Sequence, residues 1–427
     1  MHTLFQGTGV LFAIVAFFGV INLKYLKRLG LPDTLGITLT GLVACMIVSL
    51  VGLTHPPMVT YAQKLVTQIN FSEVVFHGLL SLLLFASALH VDFSRLREHK
   101  VAIISLSTLG VLISTAVVGV GMYYVTPALG HPIPLLWCLV FGALISPTDP
   151  IAVLAVLKSA GAPPALEAKI ASEALLNDGT AMVTFLTLVG LATGASEFSI
   201  THVGSMLLRE VAGALVFGVL VGYAACRLLS DIDSYPVEIL ITLALATGGY
   251  SLAEHLHVSA PLAVVAMGLV IGNHGATRHM SEKTREHLFS FWGLLDELLN
   301  LILFGLIGLE VIALSFDFSG IWVGIAAIPV VLLARAVSVA LPMAALRRFR
   351  RVSPHAVKIM TWGGLRGGIS IALALSLPEF HGRDMIIGVT YLVVVFSLLV
   401  QATTLGRLVR RCAQPEGNEV RSVARTQ

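Results

Sequence analysis

Residues 135–157 read LLWCLVFGALISPTDPIAVLAVL, an apolar run that is long enough to cross a membrane. Near its middle stands Asp149, with Pro147 and Pro150 close on either side. An ionised side chain at mid-bilayer costs at least about 2.5–3.5 kcal/mol. Each proline also removes a backbone donor and clashes with the preceding turn. We therefore expect the helix to break between Ser146 and Pro150.

A break at this depth predicts a binding site. Backbone groups that are freed from a helix are tolerated inside a membrane only where they line a cavity. Free carbonyls, the Thr148 hydroxyl and the Asp149 carboxylate are hard oxygen donors, which suit a small cation. The prolines and the charge together therefore favour a cation site at the interruption.

The composition of the chain indicates a membrane protein. Of its 427 residues 56% are hydrophobic and 12% charged, and the mean hydropathy is +0.90, whereas soluble proteins carry about 25% charged residues. Apolar runs of about 20 residues recur without the alternation of a β-barrel. We predict an all-α polytopic membrane protein. The sequence has no nucleotide-binding loop and no soluble domain, so we expect gradient-driven transport with no cofactor and no nucleic-acid partner.

Hydropathy predicts thirteen membrane spans, each with ends that shift by several residues. They lie near residues 4–26, 34–53, 74–92, 101–125, 134–157, 168–192, 203–226, 236–255, 259–274, 288–313, 320–345, 354–377 and 385–408. Residues 411–427 turn polar and are too short to fold alone, which predicts a short, disordered cytoplasmic tail.

The positions of the 27 Lys and Arg residues support this count. With these spans, Lys64, Arg209 and Arg383 lie on one side of the membrane, and Arg335 and Arg366 fall inside spans. All other cations lie on the opposite side. Because positive charge marks the cytoplasmic side, we predict a multi-pass protein of the plasma (bacterial inner) membrane, with its amino terminus outside and its carboxyl terminus inside.

A second interruption lies in the twelfth span, where residues 358–377 read KIMTWGGLRGGISIALALSL. Four glycines, among them Gly364 and Gly367, surround Arg366. Glycine pairs also let helices pack closely, so a purely structural reading stays open. The broken fifth and twelfth spans are seven apart, which fits two inverted six-helix repeats with the seventh span as connector.

The sixth span contains two further carboxylates in IASEALLNDGTAMVTFLTLVG, residues 170–190. On a helix Glu173 and Asn177 share a face, whereas Asp178 points about 140° away from Glu173. We prefer Arg335 as the partner of Glu173, although a structural ion pair explains both residues equally well. Asp178 then remains beside Asp149.

Two neighbouring carboxylates repel each other when both are ionised, which favours the binding of a proton by one of them. A bound metal cation has the opposite effect. A site that holds either a proton or a cation is the minimal machinery of an exchanger.

At this point the sequence resembles a known family, the cation–proton antiporters. SPTDP is followed about 25 residues later by E-x-L-L-N-D-G. The chain is most similar to the branch that holds the prokaryotic NhaP-type Na+/H+ antiporters and the animal NHE exchangers. Supporting matches are FWGLLDELLNLILFGLIGLE (291–310), LLARAVSV (332–339) and GGLRGGISIALAL (363–375). The resemblance covers roughly residues 5–410.

The resemblance implies thirteen helices, two inverted repeats with crossed fifth and twelfth helices, and a homodimer in the lipid bilayer. The implied transmembrane antiporter domain, residues 1–410, works by alternating access. Its parts are interface helices at about 4–92 and 236–313, moving core helices at about 101–192 and 320–408, and a connector helix at about 203–226.

The resemblance also implies roles for individual residues. Asp178 is the main carrier of the proton and the cation, and Thr148, Asp149 and Asn177 complete the site. Na+ or K+ binds at Asp178, Asp149 and Thr148. Glu173 pairs with Arg335. Arg366 steadies the unwound helices, which Pro147, Pro150, Gly364 and Gly367 interrupt. Family members with Asn–Asp at positions 177 and 178 are usually electroneutral and exchange one cation for one proton.

One position departs from the family pattern. Ala174 stands where NhaP-type proteins commonly carry a serine whose hydroxyl binds the cation. Another hydroxyl, for which we name Thr180, or water has to replace that oxygen. Without such a replacement Na+ coordination is weakened, which favours K+. We expect Na+, with Li+ as a further substrate, and keep a K+/H+ antiporter or K+ efflux system as the alternative.

Two other classes fit the sequence less well. An anion or organic-acid symporter needs net positive charge at the breaks, whereas Asp149 and Asp178 make them acidic. An intramembrane enzyme needs catalytic groups, but the chain contains no HExxH sequence and no serine–histidine arrangement in facing spans.

Overall fold

The computed structural model describes residues 2–26, 33–52, 54–68, 71–162, 164–194, 200–276, 280–313, 318–347 and 354–423. All regular elements within these ranges are helices, which confirms the predicted all-α class. Seven cations that we assigned to the cytoplasmic side lie outside the described residues: Lys27, Arg28, Arg278, Arg348, Arg350, Arg351 and Arg425.

The first part of the chain forms eleven α-helices within the described ranges. They are α1 (His2–Ile21), α2 (Asp33–Gly52), α3 (Pro56–Gln68), α4 (Phe71–Glu73), α5 (Leu80–Leu89), α6 (Phe93–Ser107), α7 (Leu109–Ala128), α8 (Leu135–Leu144), α9 (Pro150–Ala160), α10 (Pro164–Ala192) and α11 (Ile200–Leu229). A π-helical turn extends α1 over Asn22–Leu26, and another joins α4 to α5 over Val74–Leu79.

The second part of the chain forms eight further α-helices within the described ranges. Its helices are α12 (Tyr235–His255), α13 (Ala260–Val270), α14 (Glu282–Glu310), α15 (Phe318–Arg347), α16 (Pro354–Trp362), α17 (Gly368–Leu375), α18 (Arg383–Phe396) and α19 (Ala402–Val423). Further π-helical turns follow α13 over Ile271–Gly275 and α18 over Ser397–Gln401, and the 3-10 turn Val311–Ala313 ends α14.

Helical segments lie at every predicted span position. Nine helices in the described ranges are long and apolar enough to cross a membrane, and Leu11–Leu26, Leu135–Leu144 and Ala260–Gly275 are shorter apolar helices. The count of thirteen spans and the inverted repeats remain predictions. Helix α3 was not predicted, because it is amphipathic and much less apolar than the spans.

The tail differs from its prediction. We expected residues 411–427 to be disordered, but α19 continues through this segment to Val423. Extending an existing helix is easier than nucleating a new one, so a polar segment follows the apolar helix that precedes it. Residues 424–427 lie outside the described ranges.

The helices pack in two groups. In one group α2 packs on α14, and α13 packs on α5, α11 and α12. The crossing of α2 and α14 is very close. A Cβ atom added to Gly41 would lie 2.9 Å from Cα of Gly308. Thr38 Oγ1 donates to the Phe304 carbonyl at the same crossing (3.1 Å). Small residues thus fix these two helices at backbone contact distance.

In the other group α7 packs on α8 and α15, α10 packs on α6 and α8, and α15 packs on α18. Residues from both groups, of α5 and α14 on one side and α9, α10 and α17 on the other, line a cavity of about 740 Å³. The candidate site lies where the interrupted helices reach this cavity.

Candidate cation-binding site

Two helices are interrupted at the inner end of the cavity. The first break separates the end of α8 at Leu144 from the start of α9 at Pro150, and the second separates the end of α16 at Trp362 from the start of α17 at Gly368. The predicted break between Ser146 and Pro150 is therefore confirmed. Prolines explain the first break, and glycines at 363, 364 and 367 permit the second.

The two breaks are joined to each other directly. The Asp149 N–H donates to the Leu365 carbonyl (2.8 Å). The Arg366 guanidinium, which is 1% exposed, donates through Nη1 to the carbonyls of Ser146 (2.5 Å) and Pro147 (3.0 Å). Arg366 thereby supplies donors to carbonyls that the interrupted helix leaves free. The fifth and twelfth predicted spans do cross as discontinuous helices.

Glycines make this close approach possible. A Cβ atom added to Gly367 would lie 2.5 Å from Oδ2 of Asp149, and one added to Gly364 would overlap the Arg335 side chain. Any other residue at either position therefore displaces a charged group of the site.

A π-helical turn that sequence reasoning missed supports the second break. Ser397, at the start of the turn Ser397–Gln401, accepts a hydrogen bond from the Arg366 N–H (2.9 Å). Gln401 Nε2 donates to the Trp362 carbonyl at the end of α16 (3.0 Å). The only sequence signal is two polar residues within an apolar span.

Asp149 caps a helix as well as facing the cavity. It is the N-cap of α9, and its Oδ1 accepts a hydrogen bond from the Ile151 N–H (2.8 Å). This contact fixes the orientation of the carboxylate at the positive end of a half-helix. Asp149 also lines the cavity, together with Thr148 and Asp178.

Asp178 presents an unoccupied acceptor to the cavity. The residue is 8% exposed, and within the described part of the chain its Oδ1 has no hydrogen-bond partner. Asn177, one residue earlier, turns away from the cavity and donates through Nδ2 to the Thr148 hydroxyl (2.7 Å). Asn177 therefore orients Thr148 and is not among the residues that line the cavity.

Glu173 and Arg335 form a buried, bidentate ion pair. Arg335 Nη1 lies 2.7 Å from Oε1 of Glu173, and Nη2 lies 3.0 Å from Oε2. Arg335 also donates through Nε to the Met360 carbonyl of α16 (3.3 Å). The pair joins α10 and α15 to the helix that precedes the second break.

The hydroxyl that we named as a replacement for the family serine does not line the cavity, whereas another one does. Ala174 is buried and carries no polar side-chain atom. Thr180 donates to the Leu176 carbonyl of its own helix (3.1 Å) and is not among the cavity-lining residues. Ser370, in the first turn of α17, does line the cavity, is fully buried, and has no partner for its hydroxyl among the described residues. Sequence reasoning missed Ser370, because nothing in its neighbourhood separates it from a packing serine.

Comparisons with known proteins agree with this geometry. A family model described as "Sodium/hydrogen exchanger, transmembrane" matches residues 13–411. The chain is 45% identical over 404 residues to the Na+/H+ antiporter NhaP of Pseudomonas aeruginosa, a match that covers 93% of this chain and 95% of the relative. It is 34% identical over 391 residues to the Na+/H+ antiporter NhaH of Halobacillus dabanensis, with 90% and 93% covered.

A solved structure has the same fold. The sodium proton antiporter MjNhaP1 from Methanocaldococcus jannaschii matches with a TM-score of 0.75 and 20% sequence identity. The match covers 95% of this chain and 98% of that chain. At this identity the likeness concerns the fold alone.

Proposed function

Because the chain belongs to the sodium/hydrogen exchanger family, we propose that it is a secondary active antiporter that exchanges Na+ for H+ across the membrane. It is a transporter and not an enzyme. The observation that carries the proposal is the position of Asp178 beside two crossed, interrupted helices. It is a buried carboxylate whose Oδ1 has no partner in the part of the chain that the structure describes.

The exchange follows from competition for one carboxylate. Asp178, Asp149, Thr148 and Ser370 supply oxygen atoms around the inner end of the cavity. With Asp178 ionised, these oxygens bind a small cation. A proton on Asp178 removes the charge that attracts the cation. Binding of the proton therefore releases the cation, and binding of the cation releases the proton. The two ions do not cross the membrane together.

The proposed stoichiometry is one cation for one proton. Asn177 is not ionisable, and its amide is bonded to Thr148. Glu173 is neutralised by Arg335 at 2.7 Å.

Asp149 is held as the N-cap of α9 by the Ile151 N–H, which favours its charged form throughout the cycle. In this proposal Asp178 is thus the carboxylate that exchanges its charge with the cavity, and transport is electroneutral. A membrane potential generated by Na+ in sealed vesicles argues against this stoichiometry.

Alternating access accounts for the two packing groups. The proposed core of helices about 101–192 and 320–408 moves against the interface helices, about 4–92 and 236–313, which form the homodimer. Asp92, Lys158 and Glu167 line the cavity away from the breaks, and the cation pattern assigns them to the cytoplasmic side. In this proposal the cavity is the inward-open path from the cytoplasm to the breaks.

Sodium is the favoured cation. The relatives described above are Na+/H+ antiporters by name, and the K+ alternative finds no support in them. The missing hydroxyl at Ala174 lowers the number of oxygens near Asp178. In this proposal the Ser370 hydroxyl replaces it.

The test is a fluorescence-dequenching assay in everted membrane vesicles, with Li+, Na+, K+ and Rb+ added across a range of pH. We expect Na+ and Li+ to dissipate the pH gradient. We expect Asp178→Asn to be inert for all four ions while the purified variant remains folded and dimeric. Transport by Asp178→Asn, or a response of the unchanged protein to K+ alone, contradicts the proposal.

A further inference from the structure

One face of α14 lines the cavity opposite the two breaks. Gly293, Asp296, Asn300 and Leu303 all reach it. Their spacing of three, four and three residues places them in a single row along the helix. The exchange reaction proposed above uses none of these residues, although two of them are polar and lie inside a membrane segment.

The Asn300 side chain is fixed by its amide nitrogen, which leaves its amide oxygen available as an acceptor. The side chain is 2% exposed, and its Nδ2 donates to the Asp296 carbonyl one turn earlier (2.8 Å). Among the described residues, Oδ1 of Asn300 has no hydrogen-bond partner, and neither has Oδ1 of Asp296. A buried acceptor that lacks a partner loses its hydration without compensation, so a residue pair of this kind requires a ligand or water in the cavity.

The row leads toward the breaks. A Cβ atom on Gly368 overlaps the Leu303 side chain, and the preceding residue, Gly367, adjoins Asp149. Leu303 therefore stands at the level of the crossing. From the rise of 1.5 Å per residue, Asn300 lies about 4.5 Å and Asp296 about 10 Å from that level along the axis.

At the other end, the row reaches His90 at the C-terminal end of α5. A Cβ atom on Gly293 lies 3.9 Å from Nε2 of His90. His90 Nδ1 is 2.7 Å from the Ala86 carbonyl, which makes Nδ1 the donor of that contact. Asp296 and Asn300 thus lie between the level of His90 and the level of the two breaks.

We propose that Asp296 and Asn300 form a second cation subsite, which holds a partly hydrated Na+ on the wall facing Asp178 before the ion reaches the breaks. This inference rests on the proposed Na+/H+ exchange. The carboxylate attracts the cation, and the amide oxygen replaces part of its water shell. A cavity of about 740 Å³ leaves room for the remaining water.

The subsite and the Asp178 site have different consequences for kinetics. The subsite belongs to the helix group that packs with α2 and α5, so it is not carried with the two breaks. Loss of Asp178 abolishes exchange. Loss of the subsite leaves the maximal rate near that of the unchanged protein, but raises the KM for Na+ applied at the cytoplasmic face.

The experiment measures Na+ KM and maximal rate in everted vesicles, where the cavity faces the added salt. We expect Asp296→Asn and Asn300→Leu each to raise KM roughly tenfold, as for one lost charge-assisted contact. Glu297→Gln is the control, because it removes an exposed charge from the same helix turn outside the cavity lining. We expect it to keep the original KM.

Asn300→Asp separates ligand binding from bracing of the helix. The variant retains an oxygen in the same place, so we expect its KM to stay at or below that of the unchanged protein. If Asn300→Leu is not inserted into the membrane, the KM of Asp296→Asn alone tests the subsite. Unchanged KM values, or lower maximal rates at constant KM, overturn the subsite. They leave the exchange proposal intact as long as the unchanged protein exchanges Na+ and Asp178→Asn is inert.

Discussion

Two arginines are buried beside the breaks, and they perform different tasks. Arg335 neutralises the carboxylate of Glu173 in a bidentate pair. Arg366 donates to two backbone carbonyls of the other interrupted helix. A lysine cannot reproduce the bidentate pair of Arg335, because it lacks the planar fork of donors. Arg335 therefore neutralises a buried charge, whereas Arg366 provides hydrogen-bond donors to backbone carbonyls.

The Glu173–Arg335 pair makes a testable contribution to stability. Removing one partner of a buried pair leaves an uncompensated charge, which costs about 3–5 kcal/mol. We expect Arg335→Met to lower the free energy of unfolding by that amount, and Glu173→Met/Arg335→Met to recover much of it. Thermal melting of the purified protein measures both effects.

Glu379→Gln serves as the control for this cycle. Glu379 lies 3.6 Å from Arg383 with its side chain 90% exposed, and exposed pairs contribute at most about 1 kcal/mol. If the double variant melts as low as Arg335→Met alone, the pair does not act as a unit.

Ser370 is the second residue with a specific expectation. Ser370 lines the cavity, and its hydroxyl has no partner within the described ranges, so in our proposal Ser370→Ala removes one cation ligand. We expect the KM for Na+ to rise roughly tenfold, which corresponds to about 1.4 kcal/mol. Thr180→Val, which deletes a hydroxyl bonded within its own helix, should leave KM unchanged. Equal KM values for the two variants in the vesicle assay speak against Ser370 as a ligand.

At the scale of elements, the breaks show how much of the site the sequence can predict. Two prolines around an aspartate interrupt a helix in any surroundings, so the break at Pro147–Pro150 was predictable from the sequence. The contact between the breaks, Asp149 N–H to the Leu365 carbonyl, depends on where two distant helices cross. The same limit applies to Ser397 and Ser370, because a buried serine in an apolar helix has no local signature.

Gly367 provides a test of the crossing. A methyl group there meets the Asp149 carboxylate at 2.5 Å, so Gly367→Ala has to displace the carboxylate or the break. We expect most of the Na+/H+ exchange rate to be lost in the dequenching assay. Gly388→Ala, where a Cβ atom meets nothing within 4 Å, is the matched control. Full activity of Gly367→Ala shows that the crossing tolerates expansion.

At the scale of the whole molecule, hydropathy located the helices but not their pairing. The predicted spans lie where helices are found, because length and apolarity decide insertion. The crossing of α2 and α14 at Gly41 and Gly308 was not predictable, since neither glycine differs locally from others in the chain. The cavity follows from this pairing, as it lies between the two helix groups.

The orientation in the membrane is testable with single cysteines. The chain has four free cysteines at positions 45, 138, 226 and 412, which are first replaced by serine or alanine. We expect a membrane-impermeant maleimide to label Glu379→Cys in intact cells. It should label Glu282→Cys, whose side chain is 91% exposed, only after the cells are opened, because positive charge marks the cytoplasmic loops. The reverse pattern inverts the proposed topology.

The carbonyls that Arg366 satisfies have a consequence for how the protein is made. Since 219 positions separate Pro147 from Arg366, the ribosome synthesises the first broken helix long before its donor exists. Until then the nascent chain keeps polar backbone groups without their final partner at membrane depth. A product that terminates before Arg366 therefore never obtains the donor for these two carbonyls and cannot complete the crossing.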